Sequence, residues 1–92
     1  PRTVFEAAAC LTPSVSTPVG IIPEVMRDGE SVVLVRRRDP KLLAQKIKEL
    51  LQDEGKRSYI AGKAREVTIR EFEWSKAIKR YAQAYLNLLN QR

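Results

Sequence analysis

The sequence predicts an α/β fold in which a small parallel layer is flanked by helices. Three observations lead there. Two short β-branched segments, Ser14-Val15-Ser16 and Ser31 to Val35, stand close together near the start of the chain. A helical pattern lies on each side of them, Thr3 to Leu11 before and Leu42 to Gln52 after. The connection Thr17 to Ile22 is rich in Pro, Gly and Thr, and it follows the first strand, at the carboxyl-end edge where open α/β sheets bind ligands. Helix–strand–turn–strand–helix order favours a parallel layer over a bundle or a sandwich.

The first helix opens at Pro1, a residue tolerated in a first turn because its missing N–H would be unpaired there anyway. Val4, Phe5, Ala8 and Ala9 share one face, and three consecutive alanines let the helix approach a sheet closely. Thr12-Pro13 ends it, since a residue before proline is driven out of the α region. Ser14 to Ser16 reads as a short buried strand closed by Thr17-Pro18, and Pro23 to Arg27 as a helical turn. Asp28-Gly29 is a turn signal. Ser31 to Val35 is the stronger strand, because its apolar residues run without alternation.

After the basic run Arg36-Arg37-Arg38, Asp39 is the expected N-cap and Pro40 the first helical residue. Leu43, Ile47, Leu50 and Leu51 form the apolar stripe of that helix, with Lys46, Lys48 and Glu49 on its wet side and Gly55 as its stop. A further helix covers about Lys56 to Arg70, with Ile60, Ala64 and Val67 on one face. Gly62 inside it costs roughly 1 kcal/mol against alanine. The last pattern is the cleanest: Trp74, Ile78, Tyr81, Tyr85 and Leu88 recur with helical period, off the line of Lys76, Lys79, Arg80 and Gln83. That stripe is expected in the core. Two parallel strands are too few to stand alone, so added strands from upstream sequence, or a second copy of the chain, are expected to complete the layer.

A chain of 92 residues suits one small domain with a modest core. No apolar run reaches the roughly 20 residues needed to span a bilayer, and no signal-peptide pattern is present. Cys10 is the single cysteine, which rules out an internal disulfide framework and suits a reducing, cytoplasmic compartment; it is expected as a small buried hydrophobe. Histidine is absent, so a Ser-His-Asp triad and a histidine-based zinc site are excluded. The net charge of +6 speaks to partners and solubility, not to fold. Because the chain begins at Pro1 without an initiator Met, it is expected to be a piece of something longer or a processed product.

In order and spacing, these residues resemble the C-terminal tail of family 4 of the GT-B glycosyltransferases, retaining enzymes that use nucleotide sugars. Pro1-Arg2-Thr3-Val4-Phe5-Glu6-Ala7-Ala8-Ala9-Cys10 is similar to the family's PRTVLEAMAC segment. Pro13, Val15, Gly20, Pro23, Glu24 and Val25 follow its G-x-P-V-V and G-G-x-P-E-V pattern, and Asp28-Gly29, Leu34-Val35 and Asp39-Pro40 match D-G-x-x-G-x-L-V and D-P. Phe72-x-Trp74 resembles the F-x-W ahead of the family's last helix. The chain departs from the pattern where Leu11, Ile21 and Val32 stand in place of glycines.

The resemblance implies a partial Rossmann-like layer, the C-terminal part of a donor-binding domain spanning all of 1–92. It implies that Glu6, aligned with the second glutamate of a Glu-x7-Glu motif, binds the donor's ribose hydroxyls; a carboxylate can accept two hydrogen bonds from a vicinal diol. The amides of Arg2 and Thr3, at the positive end of a helix dipole, would face the donor diphosphate, and Gly20 would line the site. The partners implied are a nucleotide-sugar donor and a glycan or lipid-linked acceptor, with no metal or other cofactor, and the fragment alone is expected to be inactive. Arg36 to Arg38 reads first as a solvated loop and, as the alternative, suits anionic lipid at a cytoplasmic membrane face. Two rival readings remain: a small basic nucleic-acid-binding module, weakened by basic residues scattered over every helix without an aromatic platform, and a non-catalytic interaction domain that pairs through its last helix.

Overall fold

The computed structural model describes residues 2–36, 38–72 and 74–91, and of residues 74–79 the backbone alone. Its elements run α1 (Arg2–Ala9), β1 (Val15–Ser16), α2 (Ile22–Val25), β2 (Val33–Leu34), α3 (Pro40–Gln52), α4 (Glu54–Phe72) and α5 (Trp74–Asn90). The two strands pair in parallel, Val15 opposite Val33 and Ser16 opposite Leu34. The expected α/β layer with one helix before it and three after is therefore present. Pro1, the expected opening residue of the first helix, lies outside the described residues, as does Arg37 of the basic run.

The second strand shows why its sequence does not alternate. Ser31 to Val35 are all buried, because both faces of the layer are covered. Val32 and Leu34 join Ala8, Ile22, Met26 and Ala64 in one cluster, while Val33 joins Leu50 and Ile60 in another. Helices α1, α2 and α4 thus close one face, and α3 with Ile60 of α4 closes the other. Strand β1 is only half-buried, contrary to the buried strand expected, since its one apolar side chain, Val15, packs against a single cluster, whereas both faces of β2 are covered.

The outer edge of β2 is closed by a side chain. The N–H groups of Val33 and Val35 donate to Ser14 and Ser16 carbonyls, at 3.0 and 2.8 Å. The intervening N–H of Leu34 points the other way and donates to Oδ1 of Asp28 at 2.9 Å. Gly29, with φ +80°, turns the chain back so that Asp28 can reach it. Asp28→Ala is expected to lose about 1–2 kcal/mol by leaving that amide unpartnered, and Asp28→Asn, which keeps an acceptor oxygen, less than half as much. Urea unfolding of the two variants checks this; equal losses would mean that the bond carries nothing.

Helix ends follow local chemistry, with one surprise. Asp39 caps α3 as expected, its Oδ1 accepting from the N–H groups of Lys41 and Leu42. The expected stop at Gly55 is not the one used. Asp53 ends α3 and begins α4: its N–H donates to Glu49 and Leu50 carbonyls, and its Oδ1 accepts from the Lys56 N–H at 2.9 Å. A capping side chain here outcompetes the glycine, which becomes part of the first turn of α4. Arg57 Nη1 then donates to the carbonyls of Leu50 and Leu51, at 3.0 and 2.8 Å, satisfying two groups that the end of α3 leaves open.

Helix α1 ends in a Schellman motif, with Thr12 N–H donating to the Ala7 carbonyl and Leu11 N–H to that of Ala8. The motif needs a left-handed residue, and Leu11 supplies it at φ +60°. A leucine there carries a penalty of roughly 1–2 kcal/mol that glycine avoids. Leu11→Gly is therefore expected to raise stability by about 0.5–1 kcal/mol after the extra entropy of an unfolded glycine is subtracted. A melting temperature that falls would show that exposed Leu11 has a packing role. Of the other two residues in glycine's place, Ile21 has an ordinary φ of −82° and Val32 is fully buried.

Several expected core residues lie outside the core. Ala9 and Cys10 are exposed, because α1 turns only Ala8, with Val4 and Phe5 beside it, toward the layer. Leu43, Ile47 and Leu51 of α3 are exposed while Lys46 and Glu49 are half-buried. A two-stranded layer is too narrow to cover the whole stripe, and only Leu50 is sealed. The stripe on α5 departs furthest from expectation. Tyr81, Tyr85 and Leu88 are 76%, 64% and 63% exposed, and the side chains of Trp74 and Ile78 lie outside the described residues. The radius of gyration, 16.8 Å, exceeds the roughly 12 Å of a compact domain of this length. The molecule is elongated.

Candidate functional site

A wide cleft forms where α1 crosses the end of α4. It is an open concavity of about 500 Å³ lined by Arg2, Phe5, Glu6, Ala9, Ile21, Thr68 and Phe72. Spacing explains the α1 contribution, because residues 2, 5, 6 and 9 share one helical face. The α4 contribution has the same cause, since Ala64, Thr68 and Phe72 recur at steps of four behind the buried Ala64. Phe5 and Phe72 seal the junction with ring centroids 4.8 Å apart and planes tilted by 60°, a favourable aromatic geometry. Ile21 arrives from the connection that follows β1.

Its charge lies at the rim. Arg2 Nε sits 3.0 Å from Glu6 Oε1, and both side chains are largely exposed. An exposed i,i+4 pair contributes at most about 0.5 kcal/mol, and here the cation stands at the end of the helix that favours an anion. The pair is easily opened, which leaves a carboxylate and a guanidinium available to a ligand. The floor is apolar apart from Thr68, whose buried Oγ1 has no hydrogen-bond partner among the described residues.

Of the four site residues expected from sequence, Arg2 and Glu6 come together on this rim. Thr3 is exposed on the same first turn, and Gly20 is exposed beside Ile21 with φ +55°; neither lines the cleft. Sequence reasoning did not pick out the apolar wall. Phe5 was legible as a core-facing residue and Phe72 as part of the F-x-W resemblance, but nothing local marks Thr68, whose only signal is its place four residues after Ala64.

The sequence model described as Glycosyl transferases group 1 matches residues 1–53. Among curated proteins, the chain is 33% identical over 86 residues to the N-acetyl-alpha-D-glucosaminyl L-malate synthase of Bacillus anthracis, covering 94% of this chain and 23% of that protein. It is 38% identical over 81 residues to a D-inositol 3-phosphate glycosyltransferase of Salinispora tropica, covering 88% and 17%. An uncharacterised glycosyltransferase of Methanocaldococcus jannaschii is 30% identical over 83 residues, with 90% and 23% covered. The chain thus spans about a fifth of the length of these relatives. With the family model matched over more than half of its residues, the chain belongs to the glycosyl transferases of group 1.

Proposed function

We propose that this chain is the C-terminal part of the donor-binding domain of a retaining GT-B glycosyltransferase, and that the cleft on α1 receives a nucleotide sugar. Glu6 accepts hydrogen bonds from the ribose hydroxyls, while the first-turn amides of Arg2 and Thr3, which have no partner within the helix, face the diphosphate. The observation that carries this reading is the joint placement of Glu6 and Arg2 on the rim of the cleft between α1 and α4, at the start of α1. A carboxylate for a diol and positive charge for phosphate stand within one helical turn of each other.

Catalysis in such a site depends on stabilising the negative charge of the departing diphosphate, for which oriented amides and a guanidinium are suited. The sugar then passes to an acceptor hydroxyl, on a glycan, a lipid-linked molecule or a small hydroxylated anion of the kind named in the relatives' descriptions. Cytoplasmic placement is supported by the exposed free thiol of Cys10. Among the described residues no helix is long and apolar enough to cross a membrane.

Saturation-transfer NMR on the 92-residue chain with UDP or GDP tests the reading. Ribose protons are expected to receive the strongest saturation, and Glu6→Ala to remove it. Saturation confined to the base, or unchanged by Glu6→Ala, would overturn the assignment.

A further inference from the structure

Among the described residues, Thr68 is the single polar residue of the α1–α4 cleft away from its rim. It is 7% exposed, and its Oγ1 has no hydrogen-bond partner among those residues. A threonine inside a helix can bond a carbonyl one turn back, here that of Ala64 or Arg65, and neither bond is made. An open buried hydroxyl costs stability, whereas an apolar group of the same shape would not. Valine has that shape and a similar helix propensity, and would serve the packing of α4 on α1 better. The orphan asks for a partner that these residues do not supply.

The surroundings narrow what that partner is. Phe72, Ile21 and Ala9 are exposed and Phe5 is half-buried, so the wall around Thr68 is apolar, aromatic and partly open. At about 500 Å³ the cleft falls within the range of small-molecule sites. Three parts of a nucleotide sugar compete for this space. The diphosphate needs cations and free amides, which lie at the rim and on the first turn of α1. A hexose would bring several hydroxyls to a floor with one hydrogen-bonding group and leave most of them unpaired. A nucleobase brings a flat face that stacks on aromatic side chains and a polar edge that can meet one hydroxyl. Apolar side chains from another stretch of polypeptide would leave Thr68 as unpaired as before.

We infer that the base of the donor nucleotide lies on the wall formed by Phe72, Ile21 and Ala9, with its edge hydrogen-bonded to Thr68 Oγ1. The inference rests on the reading of Glu6 as the ribose ligand and adds an orientation to it: the nucleoside points inward toward α4, and the transferred sugar points out of the cleft. A helical threonine has two χ1 wells open to it, so the hydroxyl can turn to a bound group without moving the helix. Because a hydroxyl both donates and accepts, Thr68 meets a carbonyl or an amino edge alike and sets affinity rather than the choice of base.

Titration calorimetry with UDP and with GDP, on the 92-residue chain and on Thr68→Val and Thr68→Ser, tests the inference. Thr68→Val should bind the better of the two ligands about two- to twelvefold more weakly, the share of one hydrogen bond between uncharged groups. It should nevertheless melt at a higher temperature, since the orphan hydroxyl is gone. Thr68→Ser keeps the hydroxyl and should stay within about twofold of the parent chain. Preference for that nucleotide over its 2′-deoxy form, which reports Glu6, should be the same in all three. In NMR spectra the Thr68 methyl signal should shift with the nucleotide and stay in place with ribose 5-phosphate, which lacks the base. Unchanged affinity in Thr68→Val, with the ribose preference intact, overturns the inference and leaves the reading of Glu6 standing. No ribose preference in the parent chain overturns both. A fall in melting temperature alongside the loss of affinity overturns the inference too, because Thr68 would then serve packing alone. So does an effect of Thr68→Val that vanishes in a longer polypeptide carrying this chain, because the cleft would then be filled from within the molecule.

Discussion

Ile60→Ala is expected to lower the melting temperature by about 10–30 °C, enough to leave a large unfolded fraction at physiological temperature. Ile60 is fully buried and packs with Val33 and Leu50 on the α3 side of the sheet, with half-buried Val15 beside it. Truncation removes the transfer free energy of its side chain and leaves a cavity, together about 2–5 kcal/mol. Total stability for a domain this small lies toward the lower end of about 5–15 kcal/mol, so one such loss is a large share of it. Ile60→Val, which removes a single methylene, should cost only about 0.5–1.5 kcal/mol. Leu51→Ala is the control: the residue is a leucine of the neighbouring helix but is 68% exposed, and its loss should be within about 0.5 kcal/mol of zero. Thermal unfolding followed at 222 nm separates the three. Equal effects of Ile60→Ala and Leu51→Ala would show that the second cluster does not seal the layer.

The contrast between those two residues marks how far the sequence could be read. What was local was legible. Asp39-Pro40 begins α3 because a carboxylate and a proline suit the cap and first position whatever lies around them. The unbroken run at Ser31 to Val35 announced a strand covered on both faces; all five residues are buried, and Val33–Leu34 form the strand. The opening helix follows from spacing, whereas Glu6 and Arg2 were singled out through the resemblance to the family's segment. What was not legible was which faces find a cover. Periodicity shows that a helix has an apolar side, not that a surface is present to bury it. Leu43, Ile47 and Leu51 on α3, like Tyr81 and Tyr85 on α5, have the period of core residues and are exposed. Gly55 failed as a stop for a related reason: which of two neighbouring breakers acts depends on the path of the next helix, here begun by Asp53. The apolar wall of the cleft also escaped, because Phe72 and Thr68 meet Phe5 across a long stretch of chain.

Glu6→Gln is expected to weaken binding of a ribonucleoside diphosphate about 10- to 150-fold, the loss that follows when hydrogen bonds to a charged acceptor, contributing about 1.5–3 kcal/mol, are given up. Its effect on stability should be slight, since the side chain is 63% exposed and gives up only a surface pair with Arg2. The diol supplies the sharper measurement. If Glu6 grips the ribose hydroxyls, the wild-type chain should bind UDP more tightly than 2′-deoxy-UDP, and Glu6→Gln should shrink that preference toward none, as a cycle between two directly interacting groups requires. Arg2→Ala separates the second charge from the first. With Arg2 on phosphate it should weaken both nucleotides alike and leave their ratio unchanged. With Arg2 serving only to hold Glu6, it should weaken neither by more than about fivefold. Titration calorimetry or NMR shift titration gives all of these affinities. A ribose preference that survives intact in Glu6→Gln would remove Glu6 from the site while leaving the family assignment, which rests on residues 1–53 as a whole, untouched.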